Sequence, residues 1–221
     1  MKIALFGQFY QNSTSPIIER LFAFLNQNNV QIVIENAFCS ILIENKLIVN
    51  TYQKFSTHKD LDKSFDMLIS VGGDGTFLRA ATLVRNSGIP ILGINAGRLG
   101  FLATFQQKNI ETFLQLVLEK KYTLSKRTLL SLKCSDKIAA IQNLNFAMNE
   151  ITVSRKETTS MITIETYLNN EYLNSYWADG LIISTPTGST GYSMSCGGPI
   201  LTPEANCLVI TPVAPHNLNA R

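Results

Sequence analysis

Apolar residues follow two different rhythms along this chain. In the first half, short, mostly apolar runs alternate with segments whose apolar positions return every three to four residues. Residues 2–9, 30–34, 66–71 and 89–94 are the runs and read as strands, and 67–71 reads as a buried parallel strand. Residues 15–27 carry Ile17, Ile18, Leu21, Phe22, Phe24 and Leu25 at helical spacing, with Ser13, Thr14 or Ser15 as cap and Pro16 in the first turn. Two more helices are predicted over 77–84 and 109–121, the latter with Ile110, Phe113, Leu114, Val117 and Leu118 apolar. Alternation of this kind predicts a parallel sheet covered by helices.

Beyond residue 121 the rhythm shortens. Residues 128–133, 151–154, 161–167, 171–176 and 181–184 read as short strands, and Asn169-Asn170 reads as a hairpin turn between two of them. The predicted architecture is therefore an α/β N-terminal domain with a parallel sheet, residues 1–121, followed by a β-rich C-terminal domain, residues 122–221. The sequence ends at Arg221 after a Pro-rich loop and without a closing element, so the second domain is expected to be truncated.

Composition adds bounds. The 221 residues are 45% hydrophobic, enough for one large domain or two small ones. Only 16% are charged, below the usual quarter, which implies surface buried between subunits or lost with a missing segment. A net charge of +3, scattered along the chain, argues against nucleic acid or a membrane surface as partner. No apolar stretch reaches membrane-spanning length, and the N-terminus turns polar too early for a signal peptide, so a cytoplasmic location is expected. Cys39, Cys134, Cys196 and Cys207 lie far apart, and His58 and His216 are the only histidines, which disfavours a structural zinc site. Apolar neighbours predict that Cys134 and Cys207 are reduced core thiols.

Four segments carry candidate chemistry. Gly72-Gly73-Asp74-Gly75-Thr76 follows the strand at 66–71 and opens a helix. Glycines at such a junction let backbone N–H groups approach a phosphate. A carboxylate there repels that phosphate unless it serves as a base or holds a metal. Asn95-Ala96-Gly97-Arg98-Leu99-Gly100-Phe101-Leu102 follows the next strand, at the carboxyl edge where ligands bind in parallel sheets. Arg98 is placed to neutralise a phosphate. Asn149-Glu150 joins an amide to a carboxylate, a pair able to take both hydroxyls of a ribose or the edge of a carboxamide. Thr185-Pro186-Thr187-Gly188-Ser189-Thr190-Gly191-Tyr192-Ser193 is dense in hydroxyls and glycine, and Tyr192 has a ring to stack on a base. There is no Walker loop, no G-x-G-x-x-G fingerprint, no G-x-S-x-G elbow and no H-R-D loop. Chemistry at phosphate must then rest on Asp74 and backbone donors.

In this order, Gly-Gly-Asp-Gly-Thr, Asn-x-Gly-x-Leu-Gly-Phe-Leu, Asn-Glu and Thr-Pro-Thr-Gly-Ser-Thr resemble the motifs of NAD kinases, and the resemblance runs from residue 2 to residue 221. The glycine turn alone is shared with diacylglycerol and sphingosine kinases and with phosphofructokinases. The 185–192 loop, with Asp179 upstream, favours NAD kinase. The resemblance implies transfer of the γ-phosphoryl of ATP to the 2′-hydroxyl of the adenosine ribose of NAD, giving NADP. It also implies a divalent ion such as Mg²⁺, polyphosphate as donor in some relatives, and a homodimer or homotetramer. Asp74 matches the general base, with Gly75 beside it and Arg79 at a binding position. Asn149 and Glu150 match the pair that holds NAD, Asp179 an acid near the nicotinamide end, and Thr187 a loop position. Thr190, Gly191, Tyr192, Ser193, Met194 and Ser195 match the segment around the adenine. Many members have alanine at the position of Gly191, so this loop is expected to be slightly looser. Relatives continue past the equivalent of Arg221.

Overall fold

The computed structural model describes residues 1–8, 14–49, 52–96, 100–103, 110–157 and 159–216. The chain divides into two compact units, Met1–Leu124 and Ser125–Arg221.

In the first unit, strands β1 (Lys2–Gly7), β2 (Gln31–Glu35), β3 (Gln53–Phe55), β4 (Met67–Val71) and β5 (Ile91–Ile94) form one sheet in the order β3-β2-β1-β4-β5. Every pairing in it is parallel, with Ile3 opposite Ile32 on one side and Met67 on the other. Helices α1 (Ser15–Gln27), α2 (Asn36–Glu44) and α4 (Ile110–Leu118) bury Leu21, Phe38 and Leu114 against Ile3, Leu5 and Ile69. Helix α3 (Asp74–Val84) covers the opposite face, setting Ala80 and Val84 against Ala4 and Leu68. Burial on both faces accounts for the mostly apolar run of β4, all five of whose residues are buried.

The predicted parallel α/β region is present, with α1 spanning the residues its periodicity marks. Sequence reading passed over α2 and β3. Glu35 ends β2 and at once caps α2, its carboxylate accepting a 2.8 Å bond from the Phe38 amide, so no turn residues separate the two elements.

The second unit is mainly antiparallel β. Strands β8 (Glu150–Ser154), β11 (Gly180–Ser184) and β12 (Val209–Val213) form a sheet in the order β12-β11-β8. Strands β9 (Ile162–Leu168) and β10 (Glu171–Ala178) form a hairpin turned by Asn169 (φ 52°) and Asn170 (φ 70°). Positive φ at both central residues is the type I′ geometry expected from that Asn pair. The strand predicted over 128–133 shrinks to β6 (Leu130–Ser131), paired with β7 (Phe146–Ala147). Short helices α5 (Ala139–Asn143) and α6 (Tyr192–Ser195), and β12, had not been predicted.

One core assignment is corrected. Cys134 and Cys207 are exposed, whereas Cys39, on α2, is fully buried and Cys196 half-buried. Apolar neighbours in sequence do not report depth where strands are short and one face meets solvent. Among the described residues no helix is long and apolar enough to cross a membrane.

Candidate functional site

In the sheet order β3-β2-β1-β4-β5 the direction of winding reverses between β1 and β4, where parallel α/β sheets bind ligands. The Gly72–Thr76 turn leaves the carboxyl end of β4 at that reversal. Gly72 has φ 153°, and a Cβ there would lie 2.4 Å from Thr76 Oγ1, so the turn requires glycine. Gly73 and Gly75 face open space, with nothing within 4 Å of where a Cβ would be. Gly73 caps α3, and its carbonyl accepts from the amides of Thr76 and Phe77. The amides of Asp74 and Gly75 have no partner among the described residues. The start of this eleven-residue helix therefore offers N–H groups and positive dipole to an anion.

Asp74 is the first residue of α3, and its side chain does not lie free. Oδ2 accepts from the Phe101 amide at 2.8 Å, and Oδ1 from the amides of Leu102 at 2.9 Å and Ala103 at 3.1 Å. The second glycine-bearing loop thus wraps the first loop's carboxylate. Arg79, farther along α3, is exposed. Gly97, Arg98 and Leu99 lie outside the described residues, as do residues 217–221.

The second unit gathers the other sequence-predicted residues. Thr185, at the end of β11, ties two segments together. Its hydroxyl donates to the Met148 carbonyl at 2.6 Å and accepts from the Gly188 amide at 3.1 Å, while its amide donates to the Asn149 carbonyl at 2.9 Å. The backbones pass so closely that a Cβ on Gly188 would lie 2.1 Å from the Asn149 carbonyl oxygen. Asn149 and Glu150 are held in this way against the 188–191 loop, and a Cβ on Gly191 would stand 3.1 Å from Glu150 Oε2. Thr187 is buried, Thr190 and Gly191 are half-buried, and Tyr192, Met194 and Ser195 are exposed. Ser193 is buried, its hydroxyl 2.8 Å from that of Thr211 on β12.

Asn149 Oδ1 and Glu150 Oε2 are buried without a hydrogen-bond partner among the described residues. Buried polar atoms are rarely left so, because each forfeits its water without replacement. Two adjacent orphan acceptors make a receptor for donor groups such as hydroxyls or an exocyclic amine. Burial also pushes the Glu150 carboxyl above its ordinary value. A raised folded-state value adds stability below the ordinary carboxylate range, and that stability is lost as pH rises through the folded value. Glu150→Gln removes this titration. The variant's melting temperature should therefore gain on the unsubstituted protein as pH rises from about 4 to about 8. A difference that does not change with pH would contradict the buried, unpartnered carboxylate.

Asp179 sits in the turn between β10 and β11 and is paired with a residue that sequence reasoning missed. Arg155, just past β8, donates from Nη2 to Asp179 Oδ2 at 3.0 Å, and its amide donates to the Asp179 carbonyl at 3.0 Å. The only sequence signal was an arginine after a strand, which is common. Among the described residues, no three of His, Cys, Asp and Glu group closely enough to hold a metal ion.

Comparison with known proteins gives this geometry a family. The ATP-NAD kinase N-terminal domain family matches residues 3–122, and the ATP-NAD kinase C-terminal domain family matches residues 148–221. The NAD kinase of Flavobacterium psychrophilum is 89% identical over 221 residues, which cover all of this chain and 75% of that protein. The NAD kinase of Porphyromonas gingivalis W83 is 37% identical, with 100% and 74% covered. Among solved structures, yeast NADH kinase complexed with NADH superposes with a TM-score of 0.85 at 27% identity, covering 100% of this chain and 68% of that one. An NAD kinase from Archaeoglobus fulgidus in complex with ATP gives 0.76 at 26% identity, covering 100% and 75%. With both halves matched and close relatives aligned along its whole length, the chain belongs to the ATP-NAD kinase family.

Proposed function

We propose that this protein is an NAD kinase that moves the γ-phosphoryl group of ATP to the 2′-hydroxyl of the adenosine ribose of NAD, giving NADP and ADP. Membership of the family supports the reaction. The observation that carries the acceptor is the pair of buried, unpartnered acceptors on Asn149 and Glu150, which suits the hydroxyl and amine donors of a nucleoside.

Roles follow residue by residue. Asn149 and Glu150 take the donor groups of NAD. Tyr192, with its exposed ring, stacks on the adenine. Thr190, Gly191, Met194 and Ser195 line the adenine segment, while Thr187 and Ser193 shape it from within. Asp179, its charge balanced by Arg155, stands near the nicotinamide end. The amides of Asp74 and Gly75, without a partner among the described residues, receive phosphate oxygens, and the Arg79 guanidinium adds positive charge. Asp74 accepts the proton of the 2′-hydroxyl as its oxygen bonds to the γ-phosphorus, and the bond to the ADP oxygen breaks. Phosphoryl transfer needs positioning and charge neutralisation more than covalent help, which suits a site built from amides and one carboxylate.

The donor set fits a divalent ion that arrives with the nucleotide. Mg²⁺ keeps several waters and is carried largely by substrate phosphates, so the ion would need no position on Asp74, whose open lone pair faces the acceptor hydroxyl. When bound, the ion neutralises charge on the phosphates. A homodimer or homotetramer, as the family resemblance implies, is part of the same proposal, as is a cytoplasmic location.

The test is NADP formation from NAD, ATP and Mg²⁺, with a lipid diol and a sugar phosphate offered separately as acceptors. Phosphorylation of NAD alone supports the proposal, and a preference for either other acceptor overturns it.

A further inference from the structure

The Asp74 carboxylate is held by a cradle of consecutive amides, built by residues that touch no substrate group in the proposed reaction. Phe101 donates to Oδ2, and Leu102 and Ala103 donate to Oδ1. An ionised carboxylate has about four acceptor positions, two on each oxygen. Three are taken by the described amides: both on Oδ1 and one on Oδ2. Among the described residues, the position left over is on Oδ2.

The cradle is itself anchored. Ala103 is 1% exposed, and its carbonyl accepts from Asn95 Nδ2 at 3.2 Å. Its Cα lies where Gly93 of β5 leaves room, since a Cβ on Gly93 would come within 2.9 Å of it. At the other end Gly100 passes directly over the carboxylate. A Cβ on Gly100 would lie 2.3 Å from Asp74 Oδ1 and 2.5 Å from its carboxyl carbon. Gly100 does not have a left-handed backbone, so the clash with Asp74, and not strain, is what bars a side chain.

We propose that Gly100 is a positioning residue for the phosphoryl transfer. Its missing side chain lets the 100–103 segment close on Asp74, orient the carboxylate, and leave a single Oδ2 lone pair to take the proton of the acceptor hydroxyl. The inference rests on the reading of Asp74 as the base. Because both motifs meet in one carboxylate, the second loop acts through the first. A methyl at position 100 must push either the loop or the carboxylate aside, and displacing a base by about 1 Å costs on the order of 10²-fold in rate.

The experiment is a double-mutant cycle on the full chain, reading kcat and KM for NAD in NADP formation. Gly100→Ala should lower kcat by about 10- to 100-fold while KM for NAD stays within about 2-fold. Combined with Asp74→Asn, the same change should have almost no further effect, because the group it positions is gone. NAD affinity by calorimetry identifies the folded variant. Should Gly100→Ala not fold, Phe101→Pro is compared with Phe101→Ala; the proline removes the amide donor to Oδ2 and should lose kcat beyond the alanine. Normal kcat for Gly100→Ala, or a loss that persists in full on Asp74→Asn, would overturn the positioning role. Near-normal kcat for Asp74→Asn alone would instead overturn the base assignment.

Discussion

Replacing Asp74 by Asn is expected to lower kcat by about 10²- to 10⁴-fold, the usual worth of general-base help, while NAD still binds. The amide has nearly the shape of the carboxylate but cannot take the proton of a ribose hydroxyl. The structure adds a second consequence. Three backbone amides donate to the Asp74 carboxylate, and an Asn side chain offers them one oxygen. Its Nδ2 must face at least one of those N–H groups, so the 101–103 amides lose at least one partner. A lost hydrogen bond of this kind costs about 0.5–1.5 kcal/mol, more if the donor stays buried. The variant should therefore melt below the parent protein as well as turn over slowly. NAD affinity measured separately from kcat divides the two effects. Near-normal kcat would remove Asp74 from the chemistry, however strongly melting changes.

Asn149→Ala should act on the other side of the kinetic ledger, raising KM for NAD by about 10- to 100-fold with a smaller change in kcat. That range corresponds to the roughly 1–3 kcal/mol tied to a buried polar group that gains or loses its partner. The physical reason is the orphan Oδ1. It is buried with no donor to it among the described residues, so its desolvation is already suffered before the ligand arrives. A ligand donor then gains a full hydrogen bond without displacing a competitor. The Asn149 backbone is held independently of its side chain by Thr185 and by the close passage of Gly188, so truncation should leave the loop in place. Substrate titration with the folded variant checks this. An unchanged KM would mean that Asn149 does not meet NAD.

How much of this was legible in the sequence depends on which force sets each feature. Apolar runs buried on both faces, such as Met67–Val71, report themselves, because the same residues that make the strand also make the core. The Asn169-Asn170 hairpin was legible because few residues tolerate positive φ at two successive positions. Helix α2 was not, because the usual punctuation is missing: Glu35 serves as strand end and helix cap together. The short strands β6 and β7 are set by pairing partners far apart in sequence, and the depth of Cys39 against that of Cys134 depends on which neighbours fold over each.

The candidate site divides in the same way. Asp74 and the 185–193 loop stood out because glycine, hydroxyl and acid recur there in an order that plain turns do not need, whereas Asn149-Glu150 reads as a plain turn by itself and was marked only by the family resemblance. Their supports did not stand out. Arg155 is unremarkable until Asp179 lies 3.0 Å away. Thr185 looked like one hydroxyl among many, yet it fastens Asn149 to the loop. Gly100 read as part of a phosphate-facing loop, whereas its missing Cβ makes room for a carboxylate twenty-six residues earlier. Residues that act through another residue carry no chemistry of their own, so composition and spacing do not mark them.

The identity of the acceptor decides what this enzyme makes. The most direct measurement supplies the protein with NAD, γ-labelled ATP and Mg²⁺ and follows the label. Label is expected on the 2′-oxygen of the adenosine ribose, in NADP, and is expected to be lost with Asp74→Asn. Label that stays off NAD while a lipid diol or a sugar phosphate takes it up would rule out NAD as the acceptor.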